Sequence, residues 1–285
     1  MVGHPRSGTT LVRDLLDLSP HTAITNESYI PWFVRMTQCL AGVPTNGIFR
    51  EGPSTVMGLV NPRMIEQFAA IHLDGVLKML KSFYGETFAS KPFQVWGDKV
   101  TFGFHAIEDL RAVFPGLRLL LVVRDPRDCI ASVMAWQKRQ VEAGQLERAK
   151  SPLELANHWN ELNSELSQLG GTDRQLLIRY EDIDDRLTLA AMLEFLNLPE
   201  WTGSEAELTT SVSQRFEQHA TSPTRRSSIG RHRHQLTTQE LEMIQRSCGE
   251  TARGFGYRLD RPAESSKHPR NDERKDLRRE GEASP

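Results

Sequence analysis

Cysteine is scarce in this chain: Cys39, Cys129 and Cys248 are the only three among 285 residues. They form neither a CxxC pair nor an even set, which argues against a disulfide framework or a thiolate metal site and fits a reducing, cytoplasmic compartment. Long apolar runs are missing too. None approaches the length of a membrane span, and no signal peptide precedes the first motif. Charge of either sign is nearly balanced, with 35 Lys and Arg against 37 Asp and Glu for a net charge of -2. Composition therefore gives no argument for nucleic acid or an anionic membrane as partner. His4 and His105 belong to no pattern with metal-site or triad spacing. At 38% hydrophobic residues the chain suffices for one sizeable α/β core.

What is present is concentrated first in Gly3-His4-Pro5-Arg6-Ser7-Gly8-Thr9-Thr10, a glycine-bracketed loop running into an amphipathic helix. Leu11, Val12, Leu15 and Leu16 share one helical face before Ser19-Pro20 stops it. Unpaired N–H groups at a helix start, the positive end of the helix dipole and the hydroxyls of Ser7, Thr9 and Thr10 suit a phosphate. A glycine-rich turn that merely caps a helix is the plainer alternative. A Walker loop has lysine where Thr9 stands, and here the cation is displaced to Arg6, so the loop is suited to one phosphate group rather than a triphosphate. Only Met1 and Val2 precede Gly3; either the first strand is very short or the chain start is truncated.

The second concentration is Leu119-Leu120-Leu121-Val122-Val123, an apolar run of the kind buried on both faces of a parallel sheet. Arg124 follows at its carboxyl end. Asp125-Pro126-Arg127-Asp128 then reads as a helix start, with Asp125 as N-cap, Pro126 at the first helical position and Asp128 placed for a capping box. Ligands of open α/β sheets bind beyond the carboxyl ends of strands, so Arg124 and Ser132 are placed to grip an anion together. The bland alternative pairs Arg124 with Asp125 or Asp128.

Together these motifs resemble the sulfotransferases that use 3′-phosphoadenosine 5′-phosphosulfate (PAPS), from Val2 to about Tyr257. In that family a PRSGTT-type loop, here Pro5 to Thr10, holds the 5′-phosphosulfate, and an arginine with a serine eight residues on, here Arg124 and Ser132, holds the 3′-phosphate. Trp96-Gly97-Asp98-Lys99 looks like the family's central lysine segment, and Arg179-Tyr180-Glu181-Asp182 like its RYED turn. Ile229-Gly230-Arg231 looks like its closing G-R-W segment, with His232 in place of the tryptophan. The resemblance implies Arg6, Ser7, Gly8, Thr9, Thr10, Arg124, Ser132, Tyr180 and Arg231 as donor-binding residues. It also implies PAPS as co-substrate, a hydroxyl-bearing acceptor (small molecule, sugar, lipid or peptide tyrosine) and no metal.

Sulfuryl transfer needs a base for the acceptor proton and positive charge at the departing bridging oxygen. Cytosolic sulfotransferases carry a histidine base in a K-T-H string, but this chain reads Lys99-Val100-Thr101. Glu27, in Thr25-Asn26-Glu27-Ser28-Tyr29-Ile30-Pro31, resembles the glutamate base of tyrosylprotein sulfotransferases. The expected catalytic set is therefore Glu27 as base with Lys99 and Arg6 as cations, and His105 and Asp98 as the alternative bases nearest Lys99. The plainer readings are a solvated Glu27 and a Lys99 paired with Asp98. Two other functions compete: a P-loop kinase or NTPase, and a sulfotransferase-like nucleotide-binding protein without turnover.

Periodicity predicts helices near residues 9–18, 63–83, 103–114, 127–141, 152–169, 186–197 and 237–254, with strands near 94–97, 118–123 and 175–179. This alternation gives an α/β fold, a P-loop-NTPase-like parallel sheet flanked by helices, as a single domain over 1–262. The charged stretch 263–285 is expected to be disordered. Residues 37–62 read as a long loop bordering the acceptor pocket, with Pro31-Trp32-Phe33 adding aromatic surface. Residues 220–234 form a basic loop, either a solvated linker or a lid over the nucleotide.

Overall fold

A computed structural model of the chain describes residues 1–28, 30, 62–101, 107, 110–111, 114–168, 173–219 and 221–259. Tyr29, the Pro31-Trp32-Phe33 segment, most of the 37–62 loop, Cys39, His105, much of the 103–114 helix and the tail beyond 262 lie outside the described residues. Among the described residues, five short strands carry the fold: β1 (Val2–Gly3), β2 (Thr22–Asn26), β3 (Val95–Lys99), β4 (Leu119–Val123) and β5 (Gln175–Arg179). Among the described residues, nine helices surround them: α1 (Thr9–Leu16), α2 (Pro62–Thr87), α3 (Pro126–Glu142), α4 (Pro152–Gln168), α5 (Asp185–Phe195), α6 (Glu205–His219), α7 (Arg225–Ser228), α8 (His232–Gln235) and α9 (Thr238–Gly254). No helix among them is long and apolar enough to cross a membrane.

All strand pairs are parallel, β1-β4-β5 in one ladder and β2-β3 in another. A bridge between Val2 and Val100, with Val100 N donating to Met1 O at 3.0 Å, brings the two ladders edge to edge. The resulting order is β2-β3-β1-β4-β5. The chain leaves β1 toward one edge and later occupies β4 on its other side, so the order reverses between β1 and β4. Loops that leave the carboxyl ends of strands flanking such a reversal diverge and leave a crevice between them. The two loops singled out in the sequence are the ones that border it.

β4 is buried at every position. Its alternating side chains explain why: Leu119, Leu121 and Val123 enter the core shared with α3, α4 and α9, while Leu120 and Val122 enter the one shared with α1, α5 and α6. The amphipathic face read in α1 is the one that packs, with Leu11, Val12, Leu15 and Leu16 all buried. A third cluster, including Ala23, Val76, Leu80, Tyr84 and Trp96, fixes α2 against β2 and β3.

Among the described residues, β2, α6 and the short helices α7 and α8 escaped the sequence reading; the last two interrupt the stretch 220–234 expected to be a loop. β2 is a five-residue strand, Thr22-Ala23-Ile24-Thr25-Asn26, too short to stand out. Among its described side chains α6 buries Leu208 and Val212, one turn apart. Its start was nevertheless written in the sequence: Ser204 and Glu207 form reciprocal capping contacts, Glu207 N to Ser204 Oγ at 3.3 Å and Ser204 N to Glu207 Oε2 at 2.7 Å.

Candidate active site

The loop after β1 begins at Gly3, where a Cβ would collide with Val122 O, Ser7 Oγ and Thr9. It closes on itself through Ser7 N, which donates to His4 O at 3.0 Å. Arg6 adopts φ 70° and Gly8 φ 102°, left-handed values that glycine takes without steric cost and arginine does not. Gly8 is the N-cap of α1 and no side chain caps the helix, which leaves the first-turn N–H groups open to an anion. Thr9 is buried and Thr10 half-buried at that turn. Ser7 Oγ is buried and has no hydrogen-bond partner among the described residues, a state that an anionic oxygen relieves.

The floor of this loop is uncharged. His4 lies within 2.7 Å of Pro5 O through Nδ1 and 3.2 Å of His158 Nδ1 through Nε2, and burial followed by the charge of His158 pushes its pKa down to about 3. Cys129 Sγ donates to Pro5 O at 3.2 Å, and burial pushes its thiol up to about 12. Above the loop lies the Tyr180 ring, into which a Cβ on Gly8 would project. Gly8→Ala therefore meets both a steric and a backbone penalty. The expected result is a loss of about 1–3 kcal/mol in stability by denaturant titration.

Arg124 leaves the end of β4 with 4% of its surface exposed. Its guanidinium lies over the Tyr180 ring at 4.2 Å and donates to Arg6 O at 3.2 Å and Ser228 O at 2.5 Å. Its Nε is buried without a partner among the described residues. Neither neighbouring aspartate pairs with it. Asp125 caps α3 by accepting from Arg127 N at 2.9 Å and pairs with the Arg127 guanidinium at 2.6 Å. Asp128 does not close the expected capping box: it accepts from Gly230 N at 2.6 Å and from His232 N at 3.0 Å, and pairs with His232 Nδ1 at 2.7 Å. His232, standing where tryptophan was expected, thus fastens the basic loop to α3.

That loop brings Arg231 to the same crevice. Arg6 Nε donates to Ser132 Oγ at 3.3 Å, Ser132 Oγ lies 2.9 Å from Thr221 Oγ1, and Thr221 Oγ1 accepts from Arg231 Nη1 at 2.6 Å. Burial, then the field of Arg124, lowers the pKa of Arg231 to about 10, and burial lowers that of Arg6, with Arg124 adding to it. The charge of Arg124 thus depresses both Arg6 and Arg231, so an anion between the three guanidinium groups is electrostatically favoured. Tyr180 acts beneath them, its hydroxyl 2.8 Å from Ser228 Oγ and its ring under Arg124. Glu181 braces the arrangement by accepting from Asp125 N at 2.9 Å and from the Tyr257 hydroxyl at 2.7 Å.

The other half of the site forms at the ends of β2 and β3, where Asn26 lies opposite Lys99. Glu27 N donates to Lys99 O at 2.8 Å, and a φ of 54° turns the Glu27 side chain back over β3. Lys99 Nζ and Thr101 Oγ1 both donate to Oε1, at 2.7 and 3.0 Å, leaving Oε2 without a hydrogen bond among the described residues. Lys99 is 5% exposed and Glu27 37%. Burial raises the Glu27 carboxyl, but the hydrogen bond and charge of Lys99, with the Thr101 hydroxyl, outweigh it and hold the pKa below its ordinary value.

A model of the sulfotransferase family matches residues 1–203 of the chain. This chain belongs to the sulfotransferase family. Among solved structures, it resembles the sulfotransferase domain of the Synechococcus PCC 7002 olefin synthase, at 20% identity and TM-score 0.51 over 91% of this chain and 94% of that one. It also resembles the sulfotransferase domain from the curacin biosynthetic pathway, at 19% identity and TM-score 0.50 over 91% and 97%. At that distance they share its fold. No curated protein matches the chain.

The sulfotransferase thus gathers Arg6, Ser7, Gly8, Thr9, Thr10, Arg124, Ser132, Tyr180 and Arg231 at one crevice, and Glu27 with Lys99 at the ends of the strands beside it. Lys99 pairs with Glu27 and not with Asp98, whose carboxylate points to the other face of β3. The sequence reading missed Thr101, Thr221 and Ser228. Thr101 had a signal, since it occupies the place of histidine in K-T-H. Thr221 and Ser228 enter through distant contacts that no spacing encodes.

Proposed function

We propose that this sulfotransferase uses PAPS as donor and moves its sulfuryl group in line onto an acceptor hydroxyl, with Glu27 as general base. The observation that carries the reading is a pair of buried donors without hydrogen-bond partners among the described residues, Ser7 Oγ in the loop after β1 and Arg124 Nε in the loop after β4. Two such points on separate loops fit a nucleotide with phosphate groups at both its 5′ and 3′ positions. The absent Walker lysine argues against a triphosphate. In this assignment Arg6, Ser7, Gly8, Thr9 and Thr10 hold the 5′ end, while Arg124, Ser132 and Arg231 hold the 3′-phosphate.

When bound, the donor supplies a sulfuryl group on a phosphate leaving group. The acceptor oxygen bonds to sulfur as the bridging S–O bond breaks, the electron pair stays on the leaving phosphate, and the acceptor proton passes to Glu27. Oε2 is the oxygen open to that proton, because Lys99 and Thr101 hold Oε1. Lys99 and Arg6 keep positive charge where the bridging oxygen departs. The acceptor is a hydroxyl compound, whether small molecule, sugar, lipid or peptide tyrosine. The decisive assay is mass-resolved sulfuryl transfer from PAPS to an acceptor library. Donor binding with no transfer to any acceptor would instead support a nucleotide-binding homologue without turnover.

Donor binding is tested separately. Adenosine 3′,5′-bisphosphate should bind far more tightly than AMP, and Arg124→Ala should remove most of that difference, since each charge-assisted contact contributes about 1.5–3 kcal/mol. Equal calorimetric affinities for the two nucleotides in the unmodified protein would refute the 3′-phosphate assignment.

A further inference from the structure

We propose that Asp98 is the residue that positions the Glu27 base. The inference rests on Glu27 being that base, and it replaces Asp98's earlier candidacy as an alternative base with a different role. Glu27 occupies the left-handed region at φ 54°, which a residue with a Cβ holds only when its surroundings impose it. Two consecutive residues of β3 impose it. The peptide before Glu27 is fixed by Glu27 N donating to Lys99 O at 2.8 Å. The peptide after it is fixed by Ser28 N, which donates to both carboxylate oxygens of Asp98 at 3.2 Å.

Asp98 is itself held. Thr25 Oγ1, opposite it in the β2-β3 ladder, donates to Oδ1 at 2.9 Å and lies 2.8 Å from the Tyr84 hydroxyl. Tyr84 is fully buried on α2 and reaches Gly97 O at 2.7 Å. The carboxylate is thus clamped between a core tyrosine's partner and the turn that carries Glu27. Asp98 and Lys99 divide the work by strand alternation: one face of β3 sets the backbone of Glu27, the other receives its side chain. An uncapped Ser28 N–H would let Glu27 relax toward ordinary backbone angles, and its carboxylate would leave Lys99 and Thr101.

The test is a double-mutant cycle on the full chain, reading turnover, donor affinity and thermal stability for Asp98→Ala, Asp98→Asn, Glu27→Gln and the Asp98→Ala/Glu27→Gln pair. Asp98→Ala is expected to lower kcat by roughly 10–100-fold with donor affinity unchanged, as for displacement of a reacting group by about 1 Å. Asp98→Asn keeps an oxygen for Ser28 N and should retain most of the turnover. In the Glu27→Gln background, Asp98→Ala should cost nothing further, because there is no base left to position. An equal loss in both backgrounds would overturn the proposal and make Asp98 a general stabiliser. Should Asp98→Ala fail to fold, Thr25→Val, which frees the carboxylate without touching it, is expected to lower kcat in the same direction, and normal turnover there would also overturn it. The two readings fail differently: a fully active Glu27→Gln sinks the base assignment, whereas a slow Glu27→Gln beside a normal Asp98→Ala sinks only the positioning role.

Discussion

Glu27→Gln is expected to lower turnover by roughly 10²–10⁴-fold while leaving donor affinity nearly unchanged. The substitution is close to a single-atom test. The amide oxygen can still accept from Lys99 and Thr101 as Oε1 does, so the anchored half of the side chain keeps its contacts. What changes is the other position, where an NH₂ replaces the oxygen proposed to take the proton. Glu27 is 37% exposed, but its partner Lys99 is 5% exposed and loses its counter-charge, so a modest drop in melting temperature should accompany the loss of turnover without loss of fold. The loss should shrink for an activated phenol, which arrives partly ionised, and be greatest for a weakly acidic alcohol. Full activity on such an alcohol would remove Glu27 from the mechanism.

Lys99→Ala should lower kcat much more than it weakens donor binding, because charge at the bridging oxygen grows as the bond breaks and is small before it. It should also move the acid limb of the pH–rate profile. On the proposed mechanism the base works only when ionised, so activity should fall as pH drops through the pKa of Glu27. With Lys99 present that pKa lies below the usual carboxylate value; without it, burial, which acts in the opposite direction, prevails and the limb moves to higher pH. A mutant with poor donor affinity, normal kcat and an unmoved limb would make Lys99 a binding residue only.

How far the sequence could be read depended on whether the information was local. Gly8 was legible because only a residue tolerant of φ 102° fits beneath the Tyr180 ring, and a glycine-bracketed loop advertises that need. β4 was legible because burial on both faces writes an unbroken apolar run. The strand 22–26 and helix 205–219 were not. Their stability comes mainly from neighbours, from β3 in one case and α1 in the other, and leaves a weak period in the residues themselves. Asp128 shows how a local rule can mislead: its position suited a capping box, but a buried carboxylate takes the donors that are nearest in space, here Gly230 and His232 about a hundred residues away.

The sequence by itself determined the residues available: a glycine-bracketed loop with arginine in place of the Walker lysine, a second arginine after an apolar run, and a glutamate and a lysine in segments that resemble those of known sulfotransferases. Backbone-directed motifs of this kind depend on residues close in the chain, so they survive as strings. The tertiary structure alone decided which charges meet. The reversal of strand order between β1 and β4 brings Arg6 to Ser132 and the basic loop to both, and the parallel pairing of β2 with β3 gives Lys99 to Glu27 and turns Asp98 to the opposite face. Coulomb and hydrogen-bond energies depend on separations of a few ångströms. Those separations exist only once the sheet has set its register.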